Sequence, residues 1–470
     1  MLFNSVPFLI LLCTTFGLFY LPALRRFQTP VLIVSSFVFY AYENPWLLAL
    51  LCGSIAVNTL LSYAIVLRGL ARRAVLVAAA ILFNVLVLAF FKYSGFIYSS
   101  LFGGGKESSL GHFLVSIPLP IGISFYTFES ISLIVDIIRH PDGRPDFVRK
   151  SLLPHLANTA LFVSFFPHLI SGPILKAHDF YPQIVPKRFR DIPWDAAFGE
   201  IVTGYFLKMV VADNLKDFTL WMEYPHFQSQ PSGHLLALMG GFSCQIFADF
   251  AGYSLIALGV ARLFGYKLVN NFNYPYISAS LAEFWQRWHI SLSQWLREYL
   301  YFPLGGNRKG PVRTYFNLFV VMAIGGLWHG AAFSYVVWGV FHGFGLAVER
   351  FVGDLTKDRP VNPWVRPLKI FCVFLFVTAA WPLFKFPQFS HLLGFYGALF
   401  SNTHLPSKPA FLQAVAFFCF PVVAYHAWHL FRPTHWSAAV EQWRPAAVAA
   451  MLFAILHNSG SAGRFLYFQF

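Results

Sequence analysis

One histidine lies in a sequence context that allows chemistry as well as simple packing. His329 follows Trp328 and precedes Gly330, inside an apolar stretch that composition places in a lipid bilayer. Imidazole takes up and returns a proton near neutral pH, and a polar group at membrane depth is costly enough to suggest a function. Two interpretations stay open for His329: a catalytic base, or a side chain hydrogen-bonded to a neighbouring helix.

A second histidine, His289, lies in residues 269–314, where tryptophans and tyrosines are mixed with charged side chains. This mixture predicts a helical stretch at the cytoplasmic side of the membrane interface. Aromatic rings favour headgroup depth there, and arginines can extend their charge into water. Interfacial anchoring explains most of the stretch, but it accounts less well for a histidine on the same helix.

Other reaction centres find little support in the sequence. The 16 histidines form no HxxE or HxH pair, and the 5 cysteines lie in apolar runs without a CxxC spacing. Neither a metal site nor a disulfide framework is therefore predicted. No serine lies in a nucleophile-elbow motif, which disfavours a covalent acyl-enzyme intermediate on this chain.

The amino-acid composition indicates whether these histidines lie in a soluble protein or in a membrane protein. The 470 residues are 57% hydrophobic and 19% aromatic, and only 11% are charged. A soluble domain is about one quarter charged, so a soluble enzyme, a disordered chain and a coiled coil are excluded. The net charge of +14 is spread between apolar stretches and forms no single face, which argues against nucleic-acid binding.

Apolar stretches long enough to cross a membrane recur along the whole chain. A crossing helix needs about 20 apolar residues. Candidate spans are residues 2–24, 29–42, 45–67, 74–93, 117–139, 196–215, 315–333, 334–350, 367–384, 410–431 and 445–458. Residues 151–175 and 233–265 fit no simple crossing and are expected to be broken or re-entrant. The sequence predicts an all-α membrane bundle of about 11–12 spans, forming a single domain over residues 1–470.

Positive charge predicts the orientation of the bundle, because loops rich in lysine and arginine stay in the cytoplasm. Basic loops alternate with nearly neutral ones over the first five spans, which places the N-terminus outside. The basic loops contain Arg25 and Arg26; Arg68, Arg72 and Arg73; and Arg139, Arg144, Arg149 and Lys150. More basic residues follow 151–175, so that segment is expected to re-enter rather than cross.

A series of short motifs follows the order and spacing of one family. They occupy residues 90–93, 120–128, 165–174, 249–254, 283–289, 301–308 and 328–330. With them the chain resembles, over nearly its whole length, the membrane-bound O-acyltransferase (MBOAT) family of the bacterial alginate O-acetyltransferase type. It is also similar to the D-alanyl transfer protein of teichoic acid modification. One departure is Leu255, where relatives often carry an acid.

The resemblance implies roles for particular residues within the MBOAT fold. His329 corresponds to the family's catalytic histidine, and His289 corresponds to its second site residue. Acetyl-CoA is the implied acyl donor, with no permanently bound cofactor. Candidates for binding the donor are Arg287, Arg297, Arg308, Lys309, Trp285 and Trp288. Each basic residue in that set is also explained by cytoplasmic topology alone.

The resemblance further implies acetyl transfer across a bacterial inner membrane, from a cytoplasmic donor to an exopolysaccharide such as alginate or cellulose. The polymer would be reached directly or through a periplasmic acetyltransferase partner. A transporter or flippase without chemistry remains an alternative, in which buried histidines and Glu129 form a proton relay. A lipid acyltransferase would need a wide lateral opening. Glu129 is otherwise expected to pair with another helix, and Asp249 and Tyr253 to tie broken backbone together.

Overall fold

The computed structural model describes residues 1–67, 70–101, 109–139, 151–170, 172–356, 363–431, 437–461 and 463. These residues contain no β-strand, and helix makes up 81% of the structure. The predicted all-α class is confirmed. Four basic residues used to predict the topology lie outside the described residues: Arg68, Arg144, Arg149 and Lys150.

Helices follow one another along the chain with short connections. Those of the first half are Val6–Tyr20, Gln28–Ala41, Trp46–Leu67, Leu70–Leu88, Ser94–Leu101, Ser109–Ser116, Ile123–Arg139, Leu152–Ser164, Ala177–Phe180, Trp194–Tyr205 and Asp213–Thr219. Those of the second half are Ser232–Leu263, Leu281–Arg287, Ile290–Leu296, Gly310–His329, Phe333–Thr356, Arg366–Lys385, Phe389–Ser401, Pro409–Phe431 and Ser437–His457.

Two compact units divide the chain. The first consists of Met1–Ile201 and Ile256–Val269, and the second consists of Val202–Leu255 and Asn270–Phe470. His289 and His329 both belong to the second unit. A single membrane domain over residues 1–470 stays a prediction.

Several helices are long and apolar enough to cross a bilayer. Among the described residues they are Trp46–Leu67, Arg72–Leu101, Ser232–Leu263, Arg366–Lys385 and Pro409–Phe431. The helices Val6–Tyr20 and Pro22–Ala41 qualify only as a pair, and they meet at a bend of 99°. A polytopic membrane bundle is thereby confirmed, while the count of about 11–12 spans stays a prediction.

The expected break within residues 233–265 is wrong. Ser232–Leu263 is one continuous helix of 32 residues, and 83% of its apolar window is buried inside the protein. Gly252 of this helix serves close packing: an added Cβ there would lie 2.8 Å from the carbonyl oxygen of Gly204. At 1.5 Å per residue the helix is about 48 Å long, so it tilts or extends beyond a hydrocarbon core of about 30 Å.

The expected break within residues 151–175 is confirmed. Leu152–Ser164 is helical, and the buried chain that follows leaves the helix at Phe165. Glu129 supports this irregular segment: its Oε1 lies 2.7 Å from Nε2 of His168 and accepts the Leu175 N–H at 3.2 Å. Glu129 and His168 are both fully buried. Glu129 pairs with a non-helical segment, where the sequence predicted another helix, and it satisfies backbone that has no helical partner.

Asp249 contacts a segment of irregular backbone, and this segment lies outside the helix that carries Asp249. Its Oδ1 lies 2.7 Å from the Lys208 ammonium, which also lies 2.7 Å from Oδ1 of Asp213. Lys208 belongs to the π-helical turn Phe206–Ala212. The Lys208 charge also lies 5.4 Å from the ring centre of Tyr253. Asp249 and Tyr253 therefore contact the same buried cation, and the irregularity lies in the segment that carries it.

Candidate active site

A tightly packed helical hairpin positions His329. The helices Gly310–His329 and Phe333–Thr356 are joined by three residues, and His329 is the last residue of the first helix. A methyl group at Gly326 would overlap the carbonyl oxygen of Tyr335, and one at Gly339 would overlap that of Met322. Since only glycine permits this approach, the two glycines fix the distance between the helices and with it the place of His329.

Aromatic rings enclose His329, which is 4% exposed. The centre of its ring lies 5.0 Å from that of Trp328, 5.4 Å from that of Trp338 and 5.0 Å from that of Phe384. Such surroundings exclude water and lower the local dielectric constant, which strengthens any electrostatic interaction made by the imidazole.

His289 lies beside Trp328 and His329, at a break between two short helices. Leu281–Arg287 ends before Trp288, and Ile290–Leu296 begins directly after His289. The expectation that His289 lies within one helix of the stretch 269–314 is therefore wrong, because the helix is interrupted at Trp288 and His289. His289 has φ 44° and ψ 55°, in the left-handed region that residues other than glycine seldom adopt. Such a conformation persists where surrounding contacts hold it, and it is frequent at active sites.

The His289 imidazole is fully buried. Its ring centre lies 4.6 Å from that of Phe250, edge to face, and 5.8 Å from that of Trp328. Burial lowers the pKa of His289 to about 3, because the charged imidazolium loses its hydration. The ring is therefore neutral at physiological pH, and it can donate one hydrogen bond and accept another.

The structure brings the two histidines predicted as site residues together. The centres of the His289 and His329 rings are 6.2 Å apart. At hydrogen-bond lengths of about 2.7–2.9 Å, one oxygen atom between the rings can contact both of them. The pair can thus address a carbonyl or a hydroxyl oxygen in a dry environment, which suits acyl transfer.

Both tryptophans predicted to bind the donor join the aromatic layer around the histidines. Trp288 is 1% exposed, and its ring centre lies 5.0 Å from that of Trp381. The Trp285 ring centre lies 5.7 Å from that of Trp338, which in turn contacts His329. Trp288 is buried within the protein and Trp285 is half-buried, and both belong to the aromatic wall of the site.

The basic residues predicted to bind the donor have different environments. Arg287 forms an ion pair with Glu283 at 2.9 Å and donates a hydrogen bond to the Asn273 carbonyl at 3.0 Å. These bonds brace the break before His289 and engage the Arg287 charge. Arg297, Arg308 and Lys309 are exposed and remain accessible to an anionic ligand.

Sequence reasoning missed a third buried histidine beside the site. His342 is fully buried, and its ring centre lies 4.8 Å from that of Trp338 and 5.2 Å from that of Trp285. Among the described residues, neither ring nitrogen of His342 has a hydrogen-bond partner. His342 follows Trp338 by four residues, which puts both rings on one helix face, and this spacing could have indicated it in the sequence.

Comparison with known proteins gives a consistent result. The sequence profile of the membrane-bound O-acyltransferase family, MBOAT, matches residues 120–391. The chain is 38% identical over 410 residues to a probable alginate O-acetylase of Pseudomonas putida, covering 85% of this chain and 80% of the relative. For the Pseudomonas aeruginosa protein of the same name, the identity is 37% over 408 residues, covering 85% and 75%. A peptidoglycan O-acetyltransferase of Helicobacter pylori is 33% identical over 377 residues, covering 75% and 70%.

Proposed function

The chain belongs to the membrane-bound O-acyltransferase family, and from that premise we propose that it transfers acetyl groups from acetyl-CoA to hydroxyl groups of an exopolysaccharide. Similarity to alginate O-acetylases supports a polysaccharide acceptor. Similarity to a peptidoglycan O-acetyltransferase supports acetyl as the transferred group. Family membership favours this chemistry over the transporter alternative, which leaves the thioester intact.

The facing imidazoles of His289 and His329 are the observation that carries this proposal. His329 removes the proton of the attacking hydroxyl as its oxygen bonds to the acetyl carbon. The carbon–sulfur bond then breaks, and the CoA thiolate leaves and takes up the proton. Neutral His289 donates a hydrogen bond to the carbonyl oxygen, where negative charge develops. General-base catalysis of this kind contributes about 10²–10⁴-fold to the rate.

Donor and acceptor would approach the histidines from opposite faces of a bacterial inner membrane. The phosphates of acetyl-CoA would bind the exposed Arg297, Arg308 and Lys309 on the cytoplasmic side through charge-assisted hydrogen bonds. The thioester arm would pass between the aromatic walls formed by Trp285 and Trp288. The N-terminus would be periplasmic, and the acetyl group would reach the polymer directly or through a periplasmic acetyltransferase partner.

Proteoliposomes that contain the purified protein test the proposal. They receive acetyl-CoA labelled in the acetyl group and an oligosaccharide of the acceptor polymer. The enzyme releases free CoA in proportion to acetylated product, whereas a transporter moves label without releasing CoA. His329→Ala is expected to lower the transfer rate about 10²–10⁴-fold at unchanged protein abundance.

His234→Ala is the matched control for His329→Ala. His234 is also buried, and it accepts a hydrogen bond from the Lys408 N–H at 2.9 Å. Its hydrogen-bond partner is not one of the site residues. Its replacement is expected to lower thermal stability and leave the transfer rate per folded molecule nearly unchanged. Full transfer activity in a normally folded His329→Ala protein would show that His329 is not the general base.

A further inference from the structure

The left-handed backbone at His289 leaves the next helix without an ordinary N-cap. An N-cap residue normally adopts an extended conformation, and its side chain accepts a hydrogen bond from the second or third helical N–H. His289 does neither: its φ is 44°, and its side chain makes no capping hydrogen bond. The first N–H groups of Ile290–Leu296 are buried beside it and need acceptors from elsewhere.

Asn271, 18 positions earlier in the sequence, supplies these acceptors. Its backbone carbonyl accepts the Ile290 N–H at 3.0 Å, and its Oδ1 accepts the Ser291 N–H at 3.2 Å. Asn271 is fully buried, and its Nδ2 donates to Oγ of Ser254 at 3.3 Å. The asparagine thereby connects the start of Ile290–Leu296 to the helix Ser232–Leu263.

The same long helix also contacts the His289 ring. Phe250 lies one helical turn before Ser254 and packs edge-on against the imidazole at 4.6 Å. His289 is therefore held at two points: Asn271 holds the backbone directly after it, and Phe250 packs against its ring. With the capping done by Asn271, the His289 side chain is directed to Trp328 and His329 instead of to its own helix.

We propose that Asn271 is a positioning residue that caps the helix in place of His289 and so keeps the His289 imidazole opposite His329. The inference rests on the proposed function, in which His289 stabilises the carbonyl oxygen. Without the Asn271 amide, the buried Ser291 N–H loses its acceptor. The backbone at His289 then gains by rotating to the right-handed region, which turns the imidazole away from the reacting carbonyl.

Asn271→Ala is expected to lower kcat for acetyl transfer about 10–100-fold, since a displacement of about 1 Å in a catalytic group can cost 10²-fold. KM for acetyl-CoA should change little, because no donor-binding residue is touched. Asn271→Asp retains an oxygen that accepts the Ser291 N–H, and the Ser254 hydroxyl can turn to donate to it. This variant should recover most of the lost kcat.

A double-mutant cycle with His289→Gly separates positioning from general stability. Glycine tolerates the left-handed region and has no side-chain donor, so His289→Gly removes the imidazole with little strain. If Asn271 acts through His289, Asn271→Ala should cost no further activity in the His289→Gly protein. An equal loss of kcat in both backgrounds would overturn the positioning role, as would the failure of Asn271→Asp to recover activity.

Asn317→Ala is the control, because Asn317 is also fully buried and donates to the carbonyls of Leu304 and Gly306 at 3.4 and 3.0 Å. It should lower thermal stability without the kcat defect. If Asn271→Ala is not recovered from membranes, Ser254→Ala loosens the same amide and should show a smaller loss, absent from the His289→Gly background. Full activity of the His289→Gly protein would refute the proposed function as well. A loss of activity in His289→Gly with none in Asn271→Ala would refute only the role of Asn271.

Discussion

The packing of the Gly310–His329 and Phe333–Thr356 hairpin gives a graded prediction at three glycines of the second helix. At Gly339 an added methyl would overlap the Met322 carbonyl oxygen. At Gly343 it would lie 3.3 Å from Cα of Phe319 and 3.4 Å from Cβ of Met322, which is tight but not forbidden. At Gly353 nothing lies within 4 Å of the added atom.

The expected changes in the free energy of unfolding differ in sign along this series. Overpacking costs about 1–3 kcal/mol, so Gly339→Ala should destabilise the protein by that amount. Gly353→Ala should instead stabilise the helix by roughly 0.5–1 kcal/mol, since alanine is the better helix former. Gly343→Ala should fall between them. The contrast between the two extreme variants is about 1.5–4 kcal/mol, which is large against total stability.

Thermal unfolding in detergent, followed by intrinsic tryptophan fluorescence, measures the series directly. Acetyl transfer is measured at a temperature where all variants stay folded. Gly339→Ala should also lose transfer activity there, because separation of the helices displaces His329, while Gly353→Ala should keep it. Equal unfolding temperatures for Gly339→Ala and Gly353→Ala would show that the hairpin does not pack through its glycines.

Other residues allow shorter tests. Arg308→Ala should raise KM for acetyl-CoA in a salt-dependent way. Arg287→Ala should mainly lower thermal stability, because the Arg287 charge is already paired with Glu283. Equal effects of the two variants on KM would contradict this difference. Glu129→Ala leaves buried His168 without its carboxylate and should cost about 3–5 kcal/mol, seen as low membrane abundance. The hydrogen bond to the buried Asp136 raises the pKa of His178. The protonated His178 therefore stabilises the folded protein fully below pH 6.5, and this contribution is lost as the pH rises through the raised pKa. His178→Gln should remove that part of the pH dependence of the unfolding temperature.

Much of the site could be predicted because motifs are local in sequence. The Trp-His-Gly motif identified His329, and the aromatic stretch before it identified His289. The structure brings the two rings within 6.2 Å of each other. Apolar length likewise predicted helices, since a long hydrophobic run has few alternatives in lipid.

The rest depends on contacts that a single sequence does not display. Residues 233–265 are too long for a simple crossing, yet they form an unbroken helix in which Gly252 packs closely against Gly204. The left-handed backbone at His289 is stabilised by Asn271, whose distance along the chain hides the relation. His342 belongs to no recognised motif and becomes visible only where its ring meets Trp338.

The unusual backbone at His289 also restricts what evolution can place there. Most side chains would strain a left-handed residue by about 1–2 kcal/mol, whereas glycine, asparagine and aspartate tolerate it. Among these, asparagine alone is an uncharged side chain that can donate a hydrogen bond to an acyl oxygen. A lineage that abandons the imidazole while retaining the scaffold is therefore steered toward asparagine at this position, since no other exchange preserves both backbone geometry and a neutral donor.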